Sequence, residues 1–195
     1  MQYLCMTNTY LQRETRVRIS MKASEQARVQ NLLGAVSIGI SDRIQEAAIG
    51  YLGHAGETAA AVVQIGVMPR MSIEELSDAL KLSHSATVRL VAKLGTMGLI
   101  DRVAGEDKRE VRLALTRKGK SALKEIYALR SQILGELTSG LSVKEMTALC
   151  GILENILARI APTLRDAVHI CRYCDEGVCP QDRCPMDPLD GCAVS

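Results

Sequence analysis

Four cysteines, Cys171, Cys174, Cys179 and Cys184, stand within fourteen residues near the end of the chain, in the spacing C-x2-C-x4-C-x4-C, and Cys192 follows after seven more residues. Thiolates this close can surround one tetrahedral zinc ion or one iron–sulfur cluster, because C-x2-C is a tight bite and the later loops are long enough to return. A structural zinc site more often pairs two C-x2-C bites, and here there is one. The Cys179-Pro180 and Cys184-Pro185 steps resemble instead the Cys-Pro that closes ferredoxin-type iron–sulfur runs. Zinc, an iron–sulfur cluster and metal-free thiol or disulfide switching all stay open at these four residues. His169, two residues before Cys171, is a further candidate ligand. Cys150 lies beside an apolar stripe and reads as a small buried hydrophobe. Nothing near Cys5 argues for a reactive thiolate.

The elements that position these thiols are helical. The chain has 195 residues, 47% of them hydrophobic and 24% charged, enough for one sizeable core and a small appendage. It has no Trp and no Phe, so the core must be aliphatic. No run approaches the roughly 20 apolar residues of a membrane span, and "MQYLCMTNTYLQRETRVRIS" lacks the order of a signal peptide. A cytoplasmic protein with no membrane partner is expected. In that reducing compartment clustered thiols point to metal or redox chemistry rather than to a disulfide framework.

Three regions follow: a flexible arm over 1–21, a regulator domain with long flanking helices over 22–168, and a cysteine-rich tail over 169–195. From Ser24, Val29, Leu33, Val36, Ile40, Ile44, Ala47 and Tyr51 step by three and four, as one face of a long helix does. "ETAAAVVQIGVM" reads as a short buried helix. Ser142 with Glu145 opens the last long helix as a capping box, and Val143, Met146, Leu149, Leu153, Ile156, Leu157 and Ile160 form its apolar stripe before Pro162.

The middle of the chain is the most specific. Ser72 and Glu75 form another capping box, and Ile73, Leu76 and Leu80 supply the apolar face of the helix it opens. After "KLS", Ser83 can cap a second helix. Leu90, Val91, Leu94 and Met97 lie on one side of it, with Ser85, Val88, Arg89 and Ala92 roughly opposite. Two short helices joined by a tight turn, the second showing small and basic groups outward, suit insertion into a DNA major groove. Ile100, then Val111, Leu113 and Leu115, alternate as strands around "AGEDK", which makes a hairpin wing. From Arg89 to Lys120 there are nine Lys or Arg against four Asp or Glu, a local excess of +5 in a chain whose net charge is only +2.

"LSHSATVRLVAKLGTMGLIDRV" and "EDKREVRLALTRKG", with the long flanking helices, resemble the MarR family of winged helix-turn-helix regulators over about residues 24–165. Asp107, Arg109, Leu115, Thr116 and Gly119 occupy the family's D-x-R and L-T-x-x-G places. The resemblance implies a mainly α fold with a two-stranded wing, and a homodimer joined by its terminal helices on a double-stranded DNA operator. It implies that Asp107 braces the wing and that Arg109 lies at the minor groove. A small-molecule effector is left open. Val88 departs from the family, which often has Thr there.

Direct recognition would place Ser83, His84, Ser85, Val88 and Arg89 over base edges, with Lys93, Lys108, Arg109 and Arg112 on phosphates. The stretch "ALTRKGKS" mimics a phosphate-binding loop, but Ala114 stands where that loop needs Gly, so a wing strand passing into a helix is the better reading. No nucleophile and base arrangement supports an enzyme. The expected function is a sequence-specific DNA-binding regulator, a repressor, with a metal- or redox-responsive cysteine cluster. The alternative is a metal- or redox-carrying module that uses its winged domain to bind protein. The tail is expected at the dimerisation end, where it would alter the spacing of two recognition helices that must match half-sites about 34–36 Å apart.

Overall fold

The computed structural model describes residues 23–54, 57–105, 110–160, 163–179 and 184–186. The elements run α1 (Ala23–Leu52), α2 (Thr58–Val67), α3 (Ile73–Leu80), α4 (His84–Thr96), β1 (Ile100–Ala104), β2 (Val111–Leu115), α5 (Arg117–Thr138), α6 (Val143–Ile160), α7 (Leu164–Ile170) and a 3-10 turn, Cys171–Tyr173. This is the mainly helical, two-stranded architecture expected. The chain divides after Ser41 into two units.

In the second unit the core forms around α2. Its Ala and Val side chains are small enough for neighbours to approach on every side, and Ala60, Ala61, Val62 and Val63 have no exposed surface. α5, α3, β2 and the 3-10 turn all pack on α2. Leu76, Val91, Leu94, Leu99, Leu113 and Ile126 complete an aliphatic core. β1 and β2 are antiparallel, with Ile100 opposite Leu115 and Ala104 opposite Val111. Leu113 is buried, whereas Val111, two residues earlier on the same strand face and paired with Ala104 near the tip, is exposed. Leu113 also exchanges backbone hydrogen bonds with the segment before α3: Arg70 N–H donates to Leu113 O at 3.0 Å and Leu113 N–H to Met71 O at 2.9 Å.

The long helices carry the expected stripes, but the stripes face outward. In the first unit Val29, Leu32, Leu33 and Val36 of α1 are exposed at helical spacing. In the second, α6 begins at the expected capping box, with Ser142 N–H donating to Glu145 Oε2 at 2.9 Å. It has no buried residue, and Val143, Met146, Leu153 and Ile160 lie open along it. Cys150 on this helix is therefore exposed, contrary to the buried role expected for it, and its thiol faces Glu154 at 3.6 Å. The Glu154 carboxylate pushes the thiol's pKa up.

The tail also departs from expectation. α7 runs through the boundary drawn at 168/169 and packs against α3, while the 3-10 turn packs against α2. The start of the cysteine-rich tail thus sits on the helix-turn-helix rather than only at the end of the last long helix. The arm over 1–21 and Cys5, Asp107, Lys108, Arg109 and Cys192 lie outside the described residues.

Candidate nucleic-acid interface and the thiol tail

α3 starts where Ser72, in extended backbone, accepts the Glu75 N–H at 3.1 Å while Glu75 Oε2 accepts the Ser72 N–H at 2.6 Å. It ends at Lys81, which takes the left-handed conformation (φ 53°). The Ser77 hydroxyl then donates to Leu82 O at 2.7 Å and closes the turn. Ser83 caps α4 by accepting the Ala86 N–H at 3.3 Å. Thr87 is buried and donates its hydroxyl to Ser83 O at 3.1 Å. With Thr87, Val91 and Leu94 inside, the opposite face of α4 must point out. Ser83, His84, Ser85, Arg89 and Ala92 are exposed, and Val88 and Lys93 are half-buried. Arg89 and Lys93 make no ion pair among the described residues.

The exit of α4 is locked to the wing. Gly98 turns the chain at φ 69°. Thr116, which caps α5, donates its hydroxyl to Gly98 O at 2.7 Å and accepts the Gly119 N–H at 3.0 Å. Its own N–H bonds Leu99 O at 3.0 Å, and Lys118 Nζ reaches Met97 O at 2.8 Å. The Leu-Thr-x-x-Gly sequence is thus a joint between α4, the β-hairpin and α5. This geometry disposes of the phosphate-loop reading of the same residues.

Arg112, expected on a phosphate, is held between two carboxylates: Nη1 is 3.0 Å from Glu75 and Nη2 is 2.5 Å from Glu110. Glu75 therefore joins the α3 cap to the wing. The backbone N–H of Ser72, followed by its hydroxyl and the Arg112 charge, lowers the Glu75 carboxyl pKa against the opposing effect of burial. Arg70 Nη2 donates to Ala104 O at 2.8 Å, on the facing strand beside the partner of Arg112. Neither scaffold role was visible in charge counting. A cleft of about 510 Å³ opens beside them, lined by Met68, Arg70, Met71, Glu75, Arg112 and Arg165 among others.

α7 is fastened to the helix-turn-helix by polar contacts. Arg165 Nη2 is 2.7 Å from Asp78 and Asp166 is 2.8 Å from Lys81. His169, a candidate ligand by sequence, instead has Nδ1 3.0 Å from Ala79 O. Arg172 Nη1 donates to His169 O at 2.8 Å. Its Nε lies 3.5 Å from Glu57 Oε2, and neither of these buried atoms has a hydrogen-bond partner among the described residues. Tyr173 meets the backbone of Ala60 at the start of α2, and burial raises its phenol pKa. Of the four candidate ligands, Cys171 and Cys174 are half-buried neighbours across the 3-10 turn, Cys184 is half-buried and Cys179 is exposed. Among the described residues no three His, Cys, Asp or Glu are arranged to hold a metal ion. The hydrogen bond between the neighbouring thiols, with Arg130 assisting against burial, holds Cys174 down to about 6, and the same bond, burial and the Cys174 charge push Cys171 up.

Residues 56–119 match the family described as winged helix DNA-binding domain. Among solved structures, the YusO protein of Bacillus subtilis aligns with a TM-score of 0.61 at 22% identity, covering 72% of this chain and 99% of that one. A MarR family protein of Bacillus stearothermophilus aligns at 0.61 and 23%, covering 70% and 96%. A mutant MarR of E. coli complexed with operator DNA aligns at 0.52 and 22%, covering 68% and 96%. No described helix is long and apolar enough to cross a membrane. Residues 56–119 are thus similar to a winged helix DNA-binding domain, and the chain shares the fold of the MarR family proteins it aligns with.

Proposed function

We propose that this protein is a homodimeric, sequence-specific DNA-binding regulator that acts as a repressor, with a cysteine tail that reports metal or redox state, and that it is not an enzyme. The observation that carries this reading is α4. It presents Ser83, His84, Ser85 and Arg89 outward from a capped, well-packed helix, with Arg89 and Lys93 unpaired among the described residues, in a stretch from Arg89 to Lys120 that carries nine Lys or Arg against four Asp or Glu. Ser85, Val88 and Arg89 are the base-edge contacts of this reading, and Lys93, Lys108 and Arg109 its phosphate contacts. Val88, half-buried, suits an apolar contact with a thymine methyl. Arg112 acts as a brace. The dimer rests on the uncovered stripes of α1 and α6, because an amphipathic helix without a covered face lacks the burial that stabilises helices in water. A bound MarR-type structure on operator DNA supports the DNA reading by analogy of fold.

The test is binding to a random duplex across a salt series, followed by selection of a preferred sequence. Binding at low salt that weakens with a steep negative slope, then a selected site with two half-sites, is the expected result. Absence of binding even in dilute buffer would leave the protein-interaction reading in its place.

A further inference from the structure

Cys171 and Cys174 flank one closed turn, in which the Cys174 N–H donates to Cys171 O at 2.7 Å. A closed turn of this span keeps its end Cα atoms within about 7 Å, a separation a disulfide can span once the turn adjusts. The two residues between them are the seat of the tail. Arg172 reaches Glu57 before α2 and the carbonyl of His169, and Tyr173 meets the backbone of Ala60. One turn earlier, His169, Asp166 and Arg165 hold Ala79, Lys81 and Asp78, the last turn and cap of α3. The pair is thus joined by contiguous contacts to the turn that precedes Ser83.

Resting on the DNA-binding reading above, we propose that Cys171 and Cys174 form a redox dithiol, oxidised by low-molecular-weight disulfides, whose bridged form loosens the tail from the helix-turn-helix and weakens DNA binding. One thiolate of the pair attacks the external disulfide, breaking its S–S bond, forming a mixed disulfide and releasing one thiol. The second thiolate attacks the protein sulfur of that mixed disulfide, forming the Cys171–Cys174 bond and releasing the second thiol. The two protons and two electrons lost by the pair are carried by the two released thiols. Drawing the two sulfurs into one bond tightens the turn and displaces Arg172 and Tyr173 from their seats, so the contacts of Asp166 with Lys81 and of Arg165 with Asp78, at the end of α3, are lost.

The experiment uses the full-length protein, reduced anaerobically and equilibrated against graded ratios of oxidised to reduced glutathione. Differential alkylation with peptide mapping locates any bridge. Fluorescence anisotropy on a duplex at fixed salt gives affinity, and hydrogen exchange follows Ser77–Ser83. The expected result is a reversible Cys171–Cys174 bridge, faster exchange at that turn, and an affinity loss within the usual allosteric range of about 5- to 150-fold. Cys171→Ser and Cys174→Ser should bind like the reduced protein at every ratio. Complete alkylation throughout, a bridge to another cysteine, or a stoichiometric metal that shields the thiols would overturn the dithiol. A bridge that leaves affinity and exchange unchanged would overturn the coupling. If no duplex is bound in either state, the DNA-binding reading and the coupling to it fall together, while the alkylation map still decides the dithiol.

Discussion

A Cβ built on Gly119 would stand 2.0 Å from the carbonyl oxygen of Leu99. Leu99 is the residue at which α4 becomes β1, and its oxygen already accepts the Thr116 N–H at 3.0 Å. The first turn of α5 therefore lies directly on the backbone that carries α4 into the β-hairpin, at a distance only glycine permits.

Gly119→Ala should accordingly destabilise the winged domain, because the obstacle is backbone rather than a side chain that can swing aside. An overpacking cost of about 1–3 kcal/mol is the usual scale, and each kcal/mol moves the melting temperature by roughly 2–4 °C in a chain of this size. Calorimetry checks it. An unchanged melting temperature would mean that α5 shifts freely against Leu99.

Glu75 should make the stability of this region depend on pH. Its carboxyl pKa is lowered in the folded protein by Ser72 and Arg112. Folding therefore gains stability as pH rises through the ordinary carboxylate range and loses it as pH falls through the lowered value. Glu75→Gln should be less stable than wild type at neutral pH, by less than about 1 kcal/mol for so exposed a group, and the two should converge in acid. Urea unfolding at several pH values measures the difference, and a constant gap would contradict the assignment.

Arg112 and Lys93 should respond differently to salt. Arg112 is engaged by Glu75 and Glu110, so Arg112→Gln should leave the slope of log affinity against log salt unchanged while lowering affinity modestly through a looser wing. Lys93→Gln should reduce the magnitude of the slope by about 1, as expected when one phosphate contact is lost. Equal changes in slope would put Arg112 on the DNA.

The uncovered stripe of α6 leads to an assembly test. Leu153→Asp places a charge at the middle of that stripe without touching the core around α2. Sedimentation at micromolar concentration should show monomer for the variant and dimer for the wild type, with circular dichroism still strongly helical. A dimeric variant would move the interface elsewhere.

What could be read from the chain alone was local. Ser72 with Glu75, and Ser142 with Glu145, identify helix starts because a capping box is complete within four residues. The two-faced pattern of α4 holds at Val91 and Leu94 inside and at Ser85 and Arg89 outside, whereas Leu90 and Met97 are only half-buried and Thr87, which the stripe does not include, is fully buried. The pairing of Arg112 with Glu75 is not legible in the chain because the two are 37 residues apart, and charge counting has no access to a pairing made by the fold. Cys150 was misjudged because an apolar stripe was equated with burial, and on α6 no other part of the described chain covers it. The seat of α7 was invisible for a third reason: its contacts are polar, span 85 to 90 residues, and leave no hydrophobic periodicity to follow.

That long span has a bearing on how the chain matures. During synthesis every residue of the winged head, complete by about residue 138, is joined to the chain before Arg165 and Asp166 are made. For that interval Asp78, Ala79 and Lys81 have no clasp. A protease nick just ahead of Thr163 would return the mature protein to the same juvenile condition: an intact reading head, unsupervised by its own C-terminus.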